Sequence, residues 1–239
     1  MGYYQNISKY YDLLMDGGYY DHQSLAFSVH SAVGQRKKIL EVGVGTGRLL
    51  EELIQIDPSY DLTGVDFSQK MVEIAQNRLP ENISIVECDV AQMELNKKFD
   101  AAVSSGGTWV IVKSDEEMLL GTHLFNHEND IRGLQKVAEH LNPGGLLVLS
   151  VHSPHENRDL TLNDGIIYHQ KIGPTSGTEE HFFFEKTYSF TKEGQLLAEE
   201  TLTLGFYKSK VFFKMLADIG LEPLEDAHTD KFYVFQKIA

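Results

Sequence analysis

The sequence predicts an α/β fold: a doubly wound, mostly parallel seven-stranded sheet with an antiparallel three-stranded insertion after the fifth strand. Three observations lead there. Apolar runs of strand length alternate with amphipathic stretches of helical length through the first 150 residues, the pattern of a parallel sheet covered on both faces. A turn rich in glycine stands where the first strand passes into a helix. Beyond residue 151 the texture changes to three strand-like runs separated by short turns, as in an antiparallel meander.

The elements follow in order. Residues 7–15 and 20–33 have helical spacing and are separated by Asp16-Gly17-Gly18. Residues 38–42 form the first strand and 48–55 a helix. Residues 62–65 form the second strand, after which Ser68 is placed to cap a helix running toward Leu79. Residues 83–87 and 99–103 are the third and fourth strands. A helix over 131–141 ends before Asn142-Pro143-Gly144-Gly145, and 146–151 is the fifth strand. The insertion runs through 166–171, 181–190 and 195–206. A helix over 209–219 stops at Gly220, where a left-handed cap is expected, and 221–224 and 232–236 are the last strands. With no repeat, low-complexity tract or linker, one domain over 1–239 is expected. Its parts are lid helices (1–33), a core (38–152), the insertion (166–206) and a closing helix with strands (207–239).

Composition narrows the function classes. A 42% hydrophobic share over 239 residues is enough for a sizeable core. No apolar run approaches the roughly 18 residues of a membrane span, and the start of the chain does not read as a leader. The lone Cys88 cannot form an internal disulfide, so a reducing, cytoplasmic setting is expected. Net charge is −14, with no cluster of Lys and Arg, which argues against a nucleic-acid partner.

The chemistry centres on Ile39-Leu40-Glu41-Val42-Gly43-Val44-Gly45-Thr46-Gly47-Arg48. Glycines at alternate positions let the backbone turn tightly and approach a ligand, and the helix that follows presents free N–H groups. Dinucleotide sites use G-x-G-x-x-G, with pyrophosphate on the helix end. Here the spacing is G-x-G-x-G, and Glu41 stands two places before the first glycine. Asp66 ends the second strand, where a carboxylate either accepts ribose hydroxyls or caps the next helix. Asp89 follows the third strand, and Ser104-Ser105-Gly106-Gly107 follows the fourth, in the crevice where such sheets bind ligands.

The glycine loop, the three acidic positions in order and the turn Asn142-Pro143-Gly144-Gly145 resemble the class I S-adenosylmethionine-dependent methyltransferases over residues 38–152. That resemblance implies a cofactor site made of Glu41, Gly43, Gly45, Gly47, Asp66, Phe67, Met71, Asp89, Val90 and Ser104. Glu41 would face the methionine amino group, Asp66 the ribose, Phe67 and Met71 the adenine ring, and Asp89 its amino group. The tyrosine-rich start, Tyr10-Tyr11-Asp12 and Tyr19-Tyr20-Asp21, is similar to the entry helices of glycine N-methyltransferase and the aminosugar N,N-dimethyltransferases. It adds Tyr11 on the cofactor side and Tyr20 on the substrate side.

Residues 108–129 read as a long crossover at the mouth of the site, a lid carrying Trp109 and His127 toward the acceptor. His152, just after the fifth strand, is the candidate base for an acceptor that arrives protonated. The expected reaction is in-line methyl transfer to nitrogen or oxygen of a small molecule, with no metal, no nucleic acid and no membrane. The alternatives are a noncatalytic methyltransferase-like subunit and a nicotinamide-dependent oxidoreductase. The Phe182-Phe183-Phe184 strand invites pairing with a second copy as a homodimer.

Overall fold

The computed structural model describes residues 4–124 and 126–238. Met1 to Tyr3, Phe125 within the expected lid, and Ala239 lie outside the described residues. The chain opens with α1 (Ser8–Leu14), which continues through a π-helical turn, Met15–Tyr19. The Gly17-Gly18 pair therefore widens the helix rather than breaking it. Gly18 takes φ +87°, and a Cβ on Gly17 would sit 2.4 Å from Leu162 Cδ2, so the glycines let this turn press on the insertion. Next comes α2 (His22–Val33), capped by the Asp21 carboxylate, which accepts from Ser24 N at 3.0 Å.

The core strands and helices then alternate: β1 (Lys38–Val42), α3 (Arg48–Ile56), β2 (Asp61–Asp66), α4 (Gln69–Arg78), β3 (Ser84–Glu87) and β4 (Phe99–Ser104). A hairpin of β5 (Trp109–Lys113) and β6 (Met118–Thr122) precedes α5 (His127–His140) and the long β7 (Leu141–His152). The insertion contains β8 (Arg158–Thr161), β9 (Ile166–Ile172), β10 (Ser176–Gly177), β11 (His181–Lys192) and β12 (Gln195–Lys208). The chain closes with α6 (Ser209–Asp218), β13 (Leu221–Pro223) and β14 (Phe232–Lys237).

The sheet is larger than the sequence suggested. Fourteen strands follow the path β3-β2-β1-β4-β7-β5-β6-β12-β11-β9-β8, with β14 pairing β7 and β13, and β10 pairing β11. β7 makes this possible. Its middle lies parallel to β4 and antiparallel to β14, while its end, Val151 and His152, pairs with β5. The antiparallel part is thus a sheet grown on the β5–β6 hairpin, not a three-stranded meander. Residues 108–129 are that hairpin and the start of α5, not an open lid. Their strand signal is plain in retrospect: Trp109-Val110-Ile111-Val112 is aromatic and β-branched and is bounded by Ser114-Asp115.

Two apolar layers flank the sheet. Val29, Leu50, Leu53 and Val72 pack one face from α2, α3 and α4, and Leu134, Val137, Phe212 and Leu216 pack the other from α5 and α6. A third cluster joins Ile7, Leu14 and Met15 to Tyr168, Tyr188, Phe190 and Leu202, so the N-terminal helices and the insertion cover each other. Their junction lies above the carboxyl ends of β1, β2 and β4. Among the described residues, no helix is long and apolar enough to cross a membrane.

Candidate functional site

The parallel register brings the carboxyl ends of the core strands into line. Glu41 lies beside Gly64 of β2 and Val103 of β4, and Asp66 beside Glu87 of β3. Chain leaving β1 turns through Gly43, Gly45 and Gly47, with φ of +75°, +53° and +82°. The glycines do different work. Gly43 packs backbone to backbone on Gly107: a Cβ there would lie 2.7 Å from Gly107 Cα. At Gly47 an added Cβ meets Leu79 at 2.9 Å, whereas at Gly45 it meets nothing within 4 Å. Gly45 borders a cavity of about 270 Å³, enclosed by the loop, the ends of β1, β2 and β3, and the N-terminal helices.

Asp66 serves the loop as well as the cavity. Its Oδ2 accepts from Gly45 N and its Oδ1 from Ser68 N, both at 2.9 Å. The helix-cap reading of Asp66 does not hold, because its carboxylate accepts from Ser68 N in a local turn and reaches no N–H of α4; with about four acceptor positions it still has room for a ligand. The Ser68 hydroxyl expected to cap α4 does not do so either; it is buried without a partner. Burial raises the Asp66 pKa, and its backbone donors pull it back down.

Glu41 is the least satisfied group in the cavity wall. It is 2% exposed, and its Oε1 accepts from Ser105 Oγ at 2.8 Å. Its Oε2 is buried with no partner. Burial pushes its pKa up to about 8, against the opposing hydrogen bond from Ser105. A buried carboxylate oxygen without a donor is costly unless a ligand supplies one, and a cationic donor suits it best.

Phe67, Met71, Asp89 and Val90 also line this cavity. Asp89 Oδ1 accepts from Ala91 N at 2.9 Å, which closes a short 3₁₀ turn, Val90–Gln92. Ser104 does not reach the cavity. It is fully buried, and its Oγ accepts from Trp109 N at 3.0 Å, holding the turn into β5; Ser105 faces the cavity instead.

The N-terminal helices close the other side. Asp12 of α1 accepts from Thr46 Oγ1 at 2.7 Å and Arg48 Nε at 3.0 Å, and also pairs with Arg78. This pins α1 to the glycine loop. Tyr11 and Tyr20 then stand, with Tyr4, Gly106 and His123, between the large cavity and a second one of about 30 Å³. Burial raises the Tyr4, Tyr11 and Tyr20 hydroxyls well above their ordinary pKa, so they stay protonated. His152 lies in the small cavity, edge-on to Tyr20 with ring centroids 5.2 Å apart, its Nε2 2.7 Å from Ser150 Oγ. Burial, with help from the Lys186 charge, lowers its pKa to about 4, so it is neutral at pH 7.

Two expected acceptor contacts lie elsewhere. Trp109 is fully buried beneath the hairpin and donates from Nε1 to Asp130 Oδ1 at 3.0 Å. His127 starts α5, 3.4 Å from Tyr207 Oη, and borders neither cavity. The groups that do surround the small cavity include Tyr19, His123 and His155, which belong to segments expected at the mouth of the site, and Lys186, which sequence reasoning did not single out. For Lys186 a signal existed. Phe184, Lys186, Tyr188 and Phe190 share one face of β11 by the two-residue period, and that face is the buried one. Among the described residues, no group of three His, Cys, Asp or Glu is placed to hold a metal ion.

Residues 39–145 match a family model described as a methyltransferase domain. A malonyl-[acyl-carrier protein] O-methyltransferase of Acetivibrio thermocellus is 30% identical over 117 residues, which cover 48% of this chain and 35% of that protein. A dTDP-3-amino-3,4,6-trideoxy-alpha-D-glucopyranose N,N-dimethyltransferase of Streptomyces venezuelae is 29% identical over 143 residues, or 58% of this chain and 54% of that protein. The chain spans between 33% and 61% of the length of the first such relatives. Among solved structures, Streptomyces venezuelae DesVI superposes with a TM-score of 0.70 at 21% identity, covering 97% of this chain and 98% of that one. A SAM-bound amino pentose methyltransferase from Micromonospora echinaspora gives 0.68 at 16% identity, covering 95% and 96%. At these identities the likeness to the solved structures is one of fold.

Proposed function

We propose that this chain, whose residues 39–145 match a methyltransferase-domain model, transfers a methyl group from S-adenosylmethionine to a nitrogen or oxygen of a small-molecule acceptor. The observation that carries this reading is Glu41 Oε2, an orphan acceptor buried where the glycine loop opens onto the large cavity. The ammonium of the cofactor's methionine end answers that need. A dinucleotide brings a pyrophosphate to the same loop, which offers Glu41 no cation to pair with.

When bound, S-adenosylmethionine supplies a methyl carbon on a sulfonium, which an acceptor displaces in line. The remaining roles belong to the chain. Gly45 leaves room for the cofactor, Asp66 accepts from the ribose hydroxyls with its free lone pairs, and Phe67, Met71, Asp89 and Val90 surround the adenine. Tyr11 and Tyr20 bound the passage from this cavity to the small one and exclude water from it. Positioning supplies much of the rate enhancement, and neutral His152 takes a proton when the acceptor arrives with one. A noncatalytic subunit would not need Glu41, Asp66 and Asp89 together on one complete cavity wall.

The test is methyl transfer from labelled S-adenosylmethionine into a metabolite extract, with the product identified by mass spectrometry. Label incorporation that depends on Glu41 and Gly45 is expected. Absence of cofactor binding, with NAD bound instead, would overturn the assignment.

A further inference from the structure

The small cavity behind the tyrosines holds an unusual group. Lys186, in the middle of β11, is 2% exposed. Its Nζ donates to Tyr19 Oη at 2.7 Å and lies 3.4 Å from His155 Nδ1 and 4.6 Å from the Tyr188 ring centroid. Among the described residues no carboxylate pairs with it, and none lines the small cavity. A second cation, Arg158, stands 4.4 Å from the other partner's ring, that of Tyr19, also without an ion pair and with Nε buried and unpartnered. The remaining polar lining is three histidines and the tyrosine hydroxyls, all able to donate. In a chain of net charge −14, a buried cation without a counter-ion, with the half-buried Arg158 beside it on the Tyr19 ring, calls for an anion from outside.

Access points the same way. The small cavity shares Tyr11, Tyr20 and His123 with the cofactor cavity, and shares Tyr19, His152 and His155 with an open cavity of about 500 Å³ on its far side. That outer cavity has a mixed rim, with Arg158 and Lys231 beside Asp21 and Glu156, so the choice of an anion rests on the small cavity. An acceptor entering there has its body in the open cavity and a small head group between Lys186 and the tyrosines. About 30 Å³ suits a group of carboxylate size rather than a ring.

We propose that Lys186 selects the acceptor, holding a carboxylate of the substrate at the small cavity where methyl transfer takes place. This rests on the methyltransferase reading above and narrows its acceptor to carboxylic acids. The oxyanion forms a new bond to the methyl carbon as the carbon–sulfur bond breaks, the electron pair stays on sulfur, and no proton moves. Burial and the neighbouring Arg158 lower the Lys186 pKa to about 7, and an anion beside it restores the proton. An ammonium acceptor would instead meet two cations in a desolvated site.

The test compares wild type, Lys186→Met and Lys186→Arg with labelled S-adenosylmethionine and a metabolite extract split by ion exchange into anionic, neutral and cationic fractions. Calorimetry with S-adenosylhomocysteine is run beside it. Label should enter the anionic fraction, fall at least tenfold in Lys186→Met, and largely survive in Lys186→Arg, because guanidinium still holds an oxyanion. Cofactor affinity should be the same in all three. Label in the cationic fraction, or transfer to the anionic fraction that ignores Lys186→Met, overturns the proposal. A loss in Lys186→Arg equal to that in Lys186→Met, with cofactor affinity intact, also overturns it, since it would make Lys186 a base. Failure of wild type to bind S-adenosylhomocysteine counts against the methyltransferase reading itself.

Discussion

The large and the small cavity are built by opposite logics. The large one sits mainly on parallel strands and their turns, and its charged wall is mostly acidic: Glu41, Asp66 and Asp89, with Arg48 at its edge held by Asp12 and Asp16. The small one is assembled from α1, the π-helical turn, β11 and the end of β7, far apart in the chain, and its charge is the cation Lys186. Only Tyr4, Tyr11, Tyr20, Gly106 and His123 belong to both. On the proposed reading each specificity resides in one of them: the acidic pocket would receive a cationic cofactor and the basic one an anionic acceptor, with tyrosines between them.

The comparison breaks most severely where the two halves are held together. Gly43→Ala drives a methyl into Gly107 and forces a side chain into a left-handed backbone. Overpacking and strain together should cost about 2–5 kcal/mol of folding stability, read by denaturant unfolding. Gly45→Ala, with open space before it, should cost only about 1–2 kcal/mol of stability and show its effect as lost cofactor affinity. Equal destabilisation by the two would mean that Gly45 serves only the turn.

Deleting residues 1–18 removes Tyr11 and the Asp12 clamp on Thr46 and Arg48. Methyl transfer should fall by about 100-fold or more, since water enters and the acceptor loses its alignment. S-adenosylhomocysteine binding should remain measurable through Asp66, Asp89 and the loop. Full activity in the truncated chain would leave these helices as cover for the core alone.

Asp66→Asn sharpens the comparison within one residue. It keeps an oxygen for one of the Gly45 and Ser68 donors and removes the charge. Cofactor affinity should fall by about 1–3 kcal/mol on calorimetry, the range for leaving buried donors unmatched. Unchanged affinity would confine Asp66 to holding the loop at Gly45 and the turn at Ser68.

Glu41 makes the two cavities respond differently to pH. Its folded pKa of about 8 lies above the ordinary 4.5, so its stabilising contribution is complete below about 4.5 and is lost as pH rises through 8. The unliganded protein should therefore lose stability between pH 5 and 9, and Glu41→Gln should remove that part of the loss. Lys186 has the reverse sign. Its folded pKa of about 7 lies below the ordinary 10.5, so its burial is most costly below pH 7 and is relieved as pH rises toward 10.5. Thermal unfolding of the two variants across this range separates them.

The large cavity was legible in the sequence because its signals are local. A strand, three glycines and a helix follow one another over residues 38–56, and each acidic position stands within two residues of the end of a strand that its own apolar run announces. Where reading failed, the cause was tertiary. Ser104 and Ser105 differ only in which side of a strand end each faces, and the turn into β5 decides that. Trp109 read as a lid residue because its hairpin partner was not recognised; the buried Asp130, which also receives Thr122 and Tyr207, draws its indole into the core. Lys186 shared the buried face of β11 by alternation, but what that face meets is set by the pairing of β11 with β9 and β12 and by the N-terminal helices packed on it.

The account stands most directly on Glu41 Oε2 and the cation it awaits. At pH 7 the buried carboxyl is largely protonated, and an ammonium placed against it ionises it, so binding must release a proton. Titrating the protein with S-adenosylhomocysteine in two buffers of different ionisation enthalpy measures that proton. The account predicts micromolar binding with release approaching one proton per site, and no release in Glu41→Gln. Binding without proton release in the wild type, or a preference for NAD, would contradict it.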